Sequence, residues 1–388
     1  MKIQNFFKKF PYVYPYIISG VGSFCLLLCT IAIQFLYEGD EIIKWSYFAS
    51  LLSVSIVPGL LGSEQLIYKY SKIENNSLYI QNTVPKYIFI GMILCMLIFH
   101  IILTKFYAYE FGYYIYVLPI IGALVSISSC INKSLGHALS SIIAQNLWKL
   151  IILIIIFIGI FIPFNYVVIF SSIAFLIYFV SMYKQRSRVY FYQSTLNNND
   201  LLITFFVYIF GIISLLLFQN SERFYLAKSD EQLFADYFLL ISYIFTPLTV
   251  VSSTLGIIWA SQIRQEKQSY NSKMIYIYAL LFSFLYLPIM FYIINIIGVG
   301  AKIDFLTKII ISMLIISKFQ YMCSTAVSIF LLPAKKLLNI HIKSMVIYGI
   351  LILTAINTNQ SFNIFLILLI ICWQYRTFIM LNSKEGEE

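Results

Sequence analysis

The sequence predicts an all-α, polytopic membrane protein with about twelve transmembrane helices in two six-helix lobes. Of its 388 residues, 61% are hydrophobic and only 11% are charged, whereas soluble globular domains carry roughly 25% charged residues. Apolar segments of about 20 residues, long enough to cross the hydrocarbon core, recur along the chain. This composition excludes a soluble globule.

Short connections separate the apolar segments of span length, which together account for most of the chain. They are Tyr16 to Leu36, Trp45 to Leu66, Tyr87 to Leu103, Phe111 to Ile131, Ile142 to Ile162, Tyr166 to Tyr183, Leu201 to Gln219, Leu233 to Ile258, Met274 to Ile297, Phe305 to Leu332, Leu337 to Ala355 and Ser361 to Ile379. Little sequence remains for a folded soluble domain or a large catalytic loop.

The distribution of lysine and arginine predicts the orientation of the chain. With the N-terminus inside, about 18 of these residues, Arg376 among them, fall in cytoplasmic segments. The predicted outer loops hold fewer, namely Lys44, Lys105, Arg223, Lys228, Lys302 and Lys308. By the positive-inside rule both termini of this multi-pass membrane protein face the cytoplasm. The net charge of +10 therefore reports topology, and no nucleic-acid partner is expected.

A repeated segment divides the chain into two similar halves. Asp230, Glu231, Tyr237 and Phe238 repeat Asp40, Glu41, Tyr47 and Phe48 about 190 residues later, and each copy falls between a first and a second apolar segment. Six spans in each half give both halves one orientation, as in parallel repeats. We predict an N-terminal lobe at 1–183, a cytoplasmic linker at 184–200 and a C-terminal lobe at 201–388.

Prolines lie at comparable places in the second and eighth predicted spans. Pro58 stands beside Gly59 and Gly62 in SIVPGLLGS, and Pro247 follows the second copy of the repeat. A proline removes one helical hydrogen bond, so a kink is expected at each. Bent helices at matching positions indicate a transporter cavity, although proline is also common in membrane helices without such a role.

Two lysines lie inside predicted spans, where a charge costs roughly 2.5–3.5 kcal/mol on insertion scales. Lys318 lies near the middle of the tenth span, with Gln320, Ser324 and Thr325 close by. It is predicted either to line a water-filled cavity or to form a structural ion pair. Lys149 follows Gln145 and Asn146 about a third of the way into the fifth span, where it either lines the cavity or reaches the interface.

Three further charged residues lie near span ends. Glu64 is near the inner end of the second span, with Lys69 five residues later as an interfacial partner. Glu222 and Arg223 follow Gln219 at the outer end of the seventh span. The planar guanidinium of Arg223 suits an anionic group, and its alternative is a local pair with Glu222 or Asp236.

Residue patterns for catalysis, metal binding and nucleotide hydrolysis do not occur in a usable context. No cofactor or metal is predicted, and transport would draw on an ion gradient, the membrane potential or the gradient of the substrate. One enzyme alternative remains, a membrane-embedded polysaccharide polymerase or glycosyltransferase that uses Asp40 or Glu41. Such enzymes usually have a long outer loop, whereas the longest one predicted here has about 14 residues, Gln219 to Gln232.

Two segments resemble polysaccharide and O-antigen flippases of the Wzx type, in the multidrug/oligosaccharidyl-lipid/polysaccharide exporter superfamily. NSERFYLAKSDEQLFADYFLLISYI resembles the junction of the seventh and eighth spans of that family, in which an acidic residue and Arg end one helix and Tyr opens the next. Here those residues are Glu222, Arg223 and Tyr237. GLLGSEQLIYKYSK resembles the end of the second span of the family.

The resemblance implies two six-helix lobes around a central cavity that opens alternately to either side. Its cargo would be an undecaprenyl-pyrophosphate-linked oligosaccharide, with the lipid bilayer, a polysaccharide polymerase and a chain-length regulator as partners in lipopolysaccharide biosynthesis. Candidate substrate-binding cations are Lys318, Lys149 and Arg223, and candidate coupling groups are Glu64 and Glu222. The major facilitator group shares the 6 + 6 plan, but its basic, glycine-containing signature is missing from KYSKIENNSLYIQNTVPK.

Overall fold

The computed structural model describes most of the chain in separate stretches. They are residues 13–36, 39–56, 59–75, 77–107, 112–159, 189–193, 198–264, 271–300, 303–326, 332–357 and 361–383.

Helices dominate these stretches. In chain order they are α1 Val13–Leu36, α2 Gly39–Ile56, α3 Gln65–Lys69, α4 Val84–Phe106, α5 Val117–Ser134, α6 Ala138–Gly159, α7 Asn198–Ser229, α8 Glu231–Arg264, α9 Ser272–Ile297, α10 Phe305–Ser324, α11 Ala334–Asn357 and α12 Phe362–Asn382. A single 3₁₀ turn, Tyr113–Tyr116, precedes α5.

Within the described residues, nine helices are long and apolar enough to cross a membrane. They are α1, α4 to α10 and α12. The chain is therefore an all-α, polytopic membrane protein, as predicted. Of the other three predicted spans, the second corresponds to the 18-residue α2 and the eleventh to α11. The sixth, Tyr166 to Tyr183, lies outside the described residues, so the count of twelve and the two lobes stay predictions.

Helix α9 shows how these helices divide their surface between protein and lipid. Its buried positions form one narrow stripe, Ala279, Ser283, Leu287 and Ile294. Large apolar side chains cover most of the remaining surface, and Leu285 is 73% exposed. A helix with apolar residues on all sides is stable only where its outer face meets lipid or more protein.

Capping residues set the ends of α9 and the start of α10. The Asn271 side chain accepts a hydrogen bond from the backbone N–H of Met274, and Gly298 ends α9 in the left-handed conformation. Asp304 caps α10 by accepting a bond from the backbone N–H of Thr307. The side-chain and backbone hydrogen bonds from Thr307 hold the pKa of Asp304 below its usual value. Helices α9 and α10 therefore begin where the sequence supplies a capping side chain, and α9 ends where it supplies a glycine.

The packing of the backbone divides the chain into two compact units. The first comprises Met1–Phe205 with Ile257–Gln268, and the second comprises Phe206–Gly256 with Ser269–Glu388, so far as these ranges are described. The lobe boundaries predicted at 183 and 201 stay a prediction.

A small sheet in the first unit was not expected from the sequence. Strands β1 Ser71–Glu74 and β2 Ser77–Gln81 form an antiparallel hairpin, and β3 Val189–Tyr192 pairs with β2 in parallel. Across β2 and β3 the rings of Tyr79 and Tyr190 stack with centroids 5.2 Å apart. The β1–β2 hairpin and the segment that contains β3 are both cytoplasmic in the predicted topology. Pairing of β2 with β3 requires that these two segments lie on the same side of the membrane.

The seventh span is longer than predicted, and the prediction of a 14-residue outer loop is wrong. Helix α7 runs unbroken to Ser229, and α8 begins at Glu231. Neither glycine nor proline occurs between Ser221 and Ser229, and the inner face of this extension is buried at Phe224, Leu226 and Ala227. The polar residues placed in a loop therefore lie on a packed helix.

The second predicted span is interrupted. Helix α2 ends at Ile56, residues 59–64 form consecutive turns, and α3 begins at Gln65. Gly59, Leu61 and Gly62 adopt positive φ angles of 54°, 54° and 80°. Pro58 lies outside the described residues, so its kink is untested. Pro247 lies inside the continuous helix α8, and a kink there stays a prediction.

Glycine at position 59 is required by both backbone and packing. A Cβ atom there would lie 1.8 Å from the Ser126 hydroxyl of α5, at a φ that only glycine adopts freely. We expect Gly59→Ala to lower the free energy of unfolding by at least the roughly 1–3 kcal/mol of a strained residue. The measurement is the melting temperature of detergent-purified protein.

Gly20→Ala is the matched control, because a Cβ on Gly20 in α1 meets nothing within 4 Å. Replacing this helical glycine is expected to stabilise by roughly 0.5–1 kcal/mol. Equal effects of the two substitutions would contradict the assigned turn at 59–64.

Candidate functional site

Lys318 of α10 forms a buried ion pair with Glu222 of α7. Its ammonium lies 2.5 Å from Glu222 Oε1, and the side chains are 6% and 1% exposed. A second hydrogen bond runs from Lys318 Nζ to the backbone carbonyl of Gln219, at 3.0 Å. The ion pair that the sequence left as an alternative is therefore present, and the Lys318 charge is compensated within the protein.

Two further polar groups surround this pair. The fully buried Tyr237 of α8 lies within the electrostatic reach of Glu222 and Arg223. The Arg223 guanidinium lies 5.7 Å from the ring centroid of Phe238 and also acts on Lys318. We call Glu222, Arg223, Tyr237 and Lys318 the ion-pair cluster. The second unit thus brings together three of the five charged residues predicted from the sequence.

Arg376 of α12 is a buried charge that the sequence analysis assigned to the cytoplasm. It is 1% exposed. Its guanidinium donates to the Tyr321 hydroxyl at 3.1 Å and to the Ser214 hydroxyl at 2.9 Å. The rings of Phe218 and Tyr321 lie 5.0 and 5.3 Å from it. Hydroxyls and aromatic faces, instead of a carboxylate, therefore surround this charge.

His341 of α11 completes the surroundings of Arg376. Its Nδ1 lies 3.3 Å from Arg376 NH2. Because a guanidinium only donates, Nδ1 must accept, and the imidazole is neutral with its hydrogen on Nε2. Gly211 of α7 makes room for the ring, since a Cβ there would lie 2.6 Å from Nε2. The sequence could have indicated that Arg376 is a buried charge, because this residue lies inside the predicted twelfth span.

Gln374, two residues before Arg376 on α12, links three helices. Its amide nitrogen donates to the Gln320 carbonyl and the Ser317 hydroxyl, both at 2.9 Å. Its oxygen accepts from the Tyr276 hydroxyl of α9 at 3.0 Å. Gln320 and Ser317 of the tenth span therefore take part in interhelical hydrogen bonds, which are expected between membrane helices, whereas Ser324 and Thr325 bond to backbone carbonyls of α10.

Lys149 of α6 lies in the first unit, where its recorded partners are uncharged. Its ammonium donates to Asn146 Oδ1 at 2.7 Å and to the Ser23 hydroxyl of α1 at 3.3 Å. It lies 5.7 Å from the Trp148 ring centroid, and the residue is partly exposed. Gly22 allows this approach of α1 and α6, because a Cβ there would lie 2.5 Å from Asn146.

Glu64, also in the first unit, ends the interrupted segment. The residue is 7% exposed, and its Oε1 accepts a 3.1 Å bond from Gln65 Nε2. The lysine whose charge acts on it is Lys133 of α5, and Lys133 Nζ donates to Gln65 Oε1 at 3.2 Å. Oε2 of Glu64 is buried and has no hydrogen-bond partner among the described residues.

The acidic residues of the enzyme alternative lie at the start of α2. Glu41 forms an ion pair with Lys44 one turn later, at 2.6 Å. Asp40 lies in the first turn of the same helix. Among the described residues, His, Cys, Asp and Glu form no group of three or more that is placed to hold a metal ion.

Comparison with known proteins does not assign the chain, because no family model, no curated protein and no solved structure matches it.

The Lys318–Glu222 pair gives a test by single and double substitution. We expect Lys318→Met or Glu222→Leu alone to lower the free energy of unfolding by roughly 3–5 kcal/mol, because each leaves a buried charge unpaired. The double variant is expected to recover most of this loss. Melting temperatures of the three variants in detergent measure the coupling, and strictly additive losses would contradict the pair.

Arg376→Lys tests whether the planar guanidinium is required. A lysine ammonium cannot reach Tyr321, Ser214 and His341 in one plane, and each lost charged hydrogen bond is worth roughly 1.5–3 kcal/mol. The melting temperature should fall, whereas Lys343→Arg at an exposed position of α11 should leave it nearly unchanged. Similar behaviour of both exchanges would contradict the assigned network.

Proposed function

We propose that the chain is a flippase that carries an undecaprenyl-pyrophosphate-linked oligosaccharide from the cytoplasmic to the periplasmic leaflet by alternating access. In this proposal twelve spans form two six-helix lobes in the cell inner membrane, with both termini in the cytoplasm. The nine apolar helices and the short connections support a transporter over an enzyme with a large loop. The resemblance to Wzx-type flippases supplies the substrate class.

The observation that carries the proposal is the charge of Lys149. A lysine inside a membrane span without an acidic partner is costly, and such residues commonly mark a substrate pathway. The contacts of Lys149 with Asn146 and Ser23 hold the ammonium in place, and within the described part of the chain neither contact supplies a negative charge. An anionic substrate would supply the missing negative charge.

The comparison with Lys318 favours Lys149 as the principal substrate-binding cation. Lys318 is 5% exposed and already holds the Glu222 carboxylate, so a phosphate would first have to displace that carboxylate. Lys149 is partly exposed, and a phosphate would displace only neutral hydrogen-bond partners among the described residues. In the proposal Lys318 therefore orders the helices of the second unit, and Arg223 is the further candidate ligand.

The substrate explains why such a cation is needed. A pyrophosphate bearing a hydrated sugar chain cannot cross about 30 Å of hydrocarbon unaided. A fixed ammonium offsets part of the cost of removing the phosphates from water. The polyprenyl tail needs no such compensation, because it is as apolar as the lipid.

Reconstitution tests the proposal directly. Purified protein in liposomes should move a fluorescent undecaprenyl-pyrophosphate-linked oligosaccharide between leaflets, measured by quenching with a reagent that does not cross the membrane. We expect Lys149→Met to slow this movement at least about tenfold, the equivalent of one lost charged contact. Lys149→Arg should retain most of it, and Lys228→Met, at an exposed lysine of α7, should behave as wild type.

A deletion strain separates the flippase from the polymerase alternative. Loss of all surface repeat units, with lipid-linked units retained on the inner leaflet, supports the flippase. A lipopolysaccharide core bearing a single repeat unit would contradict it, because the units would then be crossing the membrane without this protein.

A further inference from the structure

The interrupted second span buries a carboxylate oxygen without a partner. Glu64 is 93% buried, and its Oε2 accepts no hydrogen bond from any described group. Unwound backbone within a membrane helix is tolerated only inside protein or beside a cavity, and transporters use such breaks to hold coupling ions. Position and chemistry both make Glu64 a candidate ion site.

The turns at 59–64 are held firmly by their neighbours. Ser126 of α5 packs against Gly59, and Gly91 of α4 packs against Ser63, where a Cβ would lie 2.2 Å from the Ser63 hydroxyl. The thiol of Cys130 donates to the Glu64 carbonyl at 3.0 Å. The carboxylate therefore projects from a fixed backbone and not from a frayed helix end.

A glutamine separates Glu64 from the nearest acting cation. Gln65 donates its amide hydrogen to Glu64 and accepts from Lys133. The other titratable groups whose charges act on Glu64, or on which it acts, are the Cys130 thiol of α5 and the Cys95 thiol of α4. Lys133 thus offsets the Glu64 charge only at a distance.

The two predicted coupling carboxylates therefore differ in kind. Glu222 contacts the Lys318 ammonium directly at 2.5 Å, so its carboxylate already has a cationic partner. Glu64 has no such contact, so burial opposes its charge and the gain or loss of one proton is accessible. Of the two, Glu64 is suited to a proton that must be bound and released.

A proton suits this site better than a sodium ion. Sodium requires several oxygen ligands, and the carbonyls of Leu60, Gly62, Ser63 and Glu64 already accept hydrogen bonds from the turns, from α3 and from α5. Lys133 also opposes a second fixed cation. A proton needs only one lone pair, which Oε2 provides.

We propose that the Glu64 carboxyl binds and releases the proton whose movement drives the transport proposed above. The proton is taken from water to form an O–H bond at Oε2, and it returns to water on the other side of the membrane. This inference rests on the proposed flippase function, although proton binding at Glu64 is measurable without transport.

Transport driven by imposed gradients tests the coupling. Liposomes containing wild-type protein should flip the lipid-linked oligosaccharide faster with a pH gradient than without one. Glu64→Gln should keep transport down the substrate gradient and lose the response to pH. Glu74→Gln, at an exposed carboxylate of β1, should respond as wild type.

The outcomes separate the two proposals. Wild-type protein that moves no substrate under any gradient would overturn the flippase function. Wild-type transport with a pH response that Glu64→Gln retains would overturn the role of Glu64 and leave the function intact. A response to a sodium gradient in place of a pH gradient would overturn the proton assignment.

Infrared difference spectra between acidic and basic buffer provide a readout that does not depend on transport. Wild-type protein should show a protonated-carboxyl band that Glu64→Gln lacks. If Glu64→Gln does not fold, Glu64→Asp keeps a carboxyl and should shift the band. An unchanged band in either variant would exclude Glu64 as the site.

Discussion

A charge in a membrane span must be compensated by the protein, because no water is available to do so. Each uncompensated charge costs roughly 2.5–3.5 kcal/mol on insertion scales, a large fraction of the stability of a domain. Among the described residues three buried or partly buried cations have different surroundings, and only the first includes a counter-charge. Lys318 has a carboxylate, Arg376 has hydroxyls and aromatic faces, and Lys149 has an amide and a hydroxyl.

The surroundings of these charges differ in how firmly they fix the neighbouring helices. A direct ion pair is expensive to separate, so the ion-pair cluster favours one arrangement of α7, α8 and α10. The network around Arg376 spreads its contacts over α7, α10, α11 and α12, which favours a rigid second unit. The described hydrogen-bond partners of Lys149 and Glu64 are neutral side chains, and the proposed function uses both charges for exchange with a ligand. Rigid and exchangeable charges thus fall in different units of the chain.

The sequence was sufficient for features that depend on composition over a long window. Nine described helices are apolar enough to span the membrane, and the unusual position of Lys318 was visible from its apolar neighbours. The extension of α7 was missed because SERFYLAKS is polar in composition, whereas its lack of glycine and proline was the better guide. Arg376 was counted as cytoplasmic because charge counting takes no account of partners, which only the fold supplies. The hairpin was missed because its strands have four and five residues, too few for a period to be recognised.

The parallel pairing of β2 with β3 has a consequence for how the protein is made. Paired residues of the two strands, such as Leu78 and Val189, are 111 positions apart in sequence, so β2 is synthesised well before its partner. Pairing succeeds only if the intervening chain has crossed the bilayer an even number of times. A chain with one helix left out of the membrane would carry β3 to the opposite side, and the hairpin would keep an unpaired strand edge. The pairing of these short strands therefore constrains the membrane topology of the whole stretch between them.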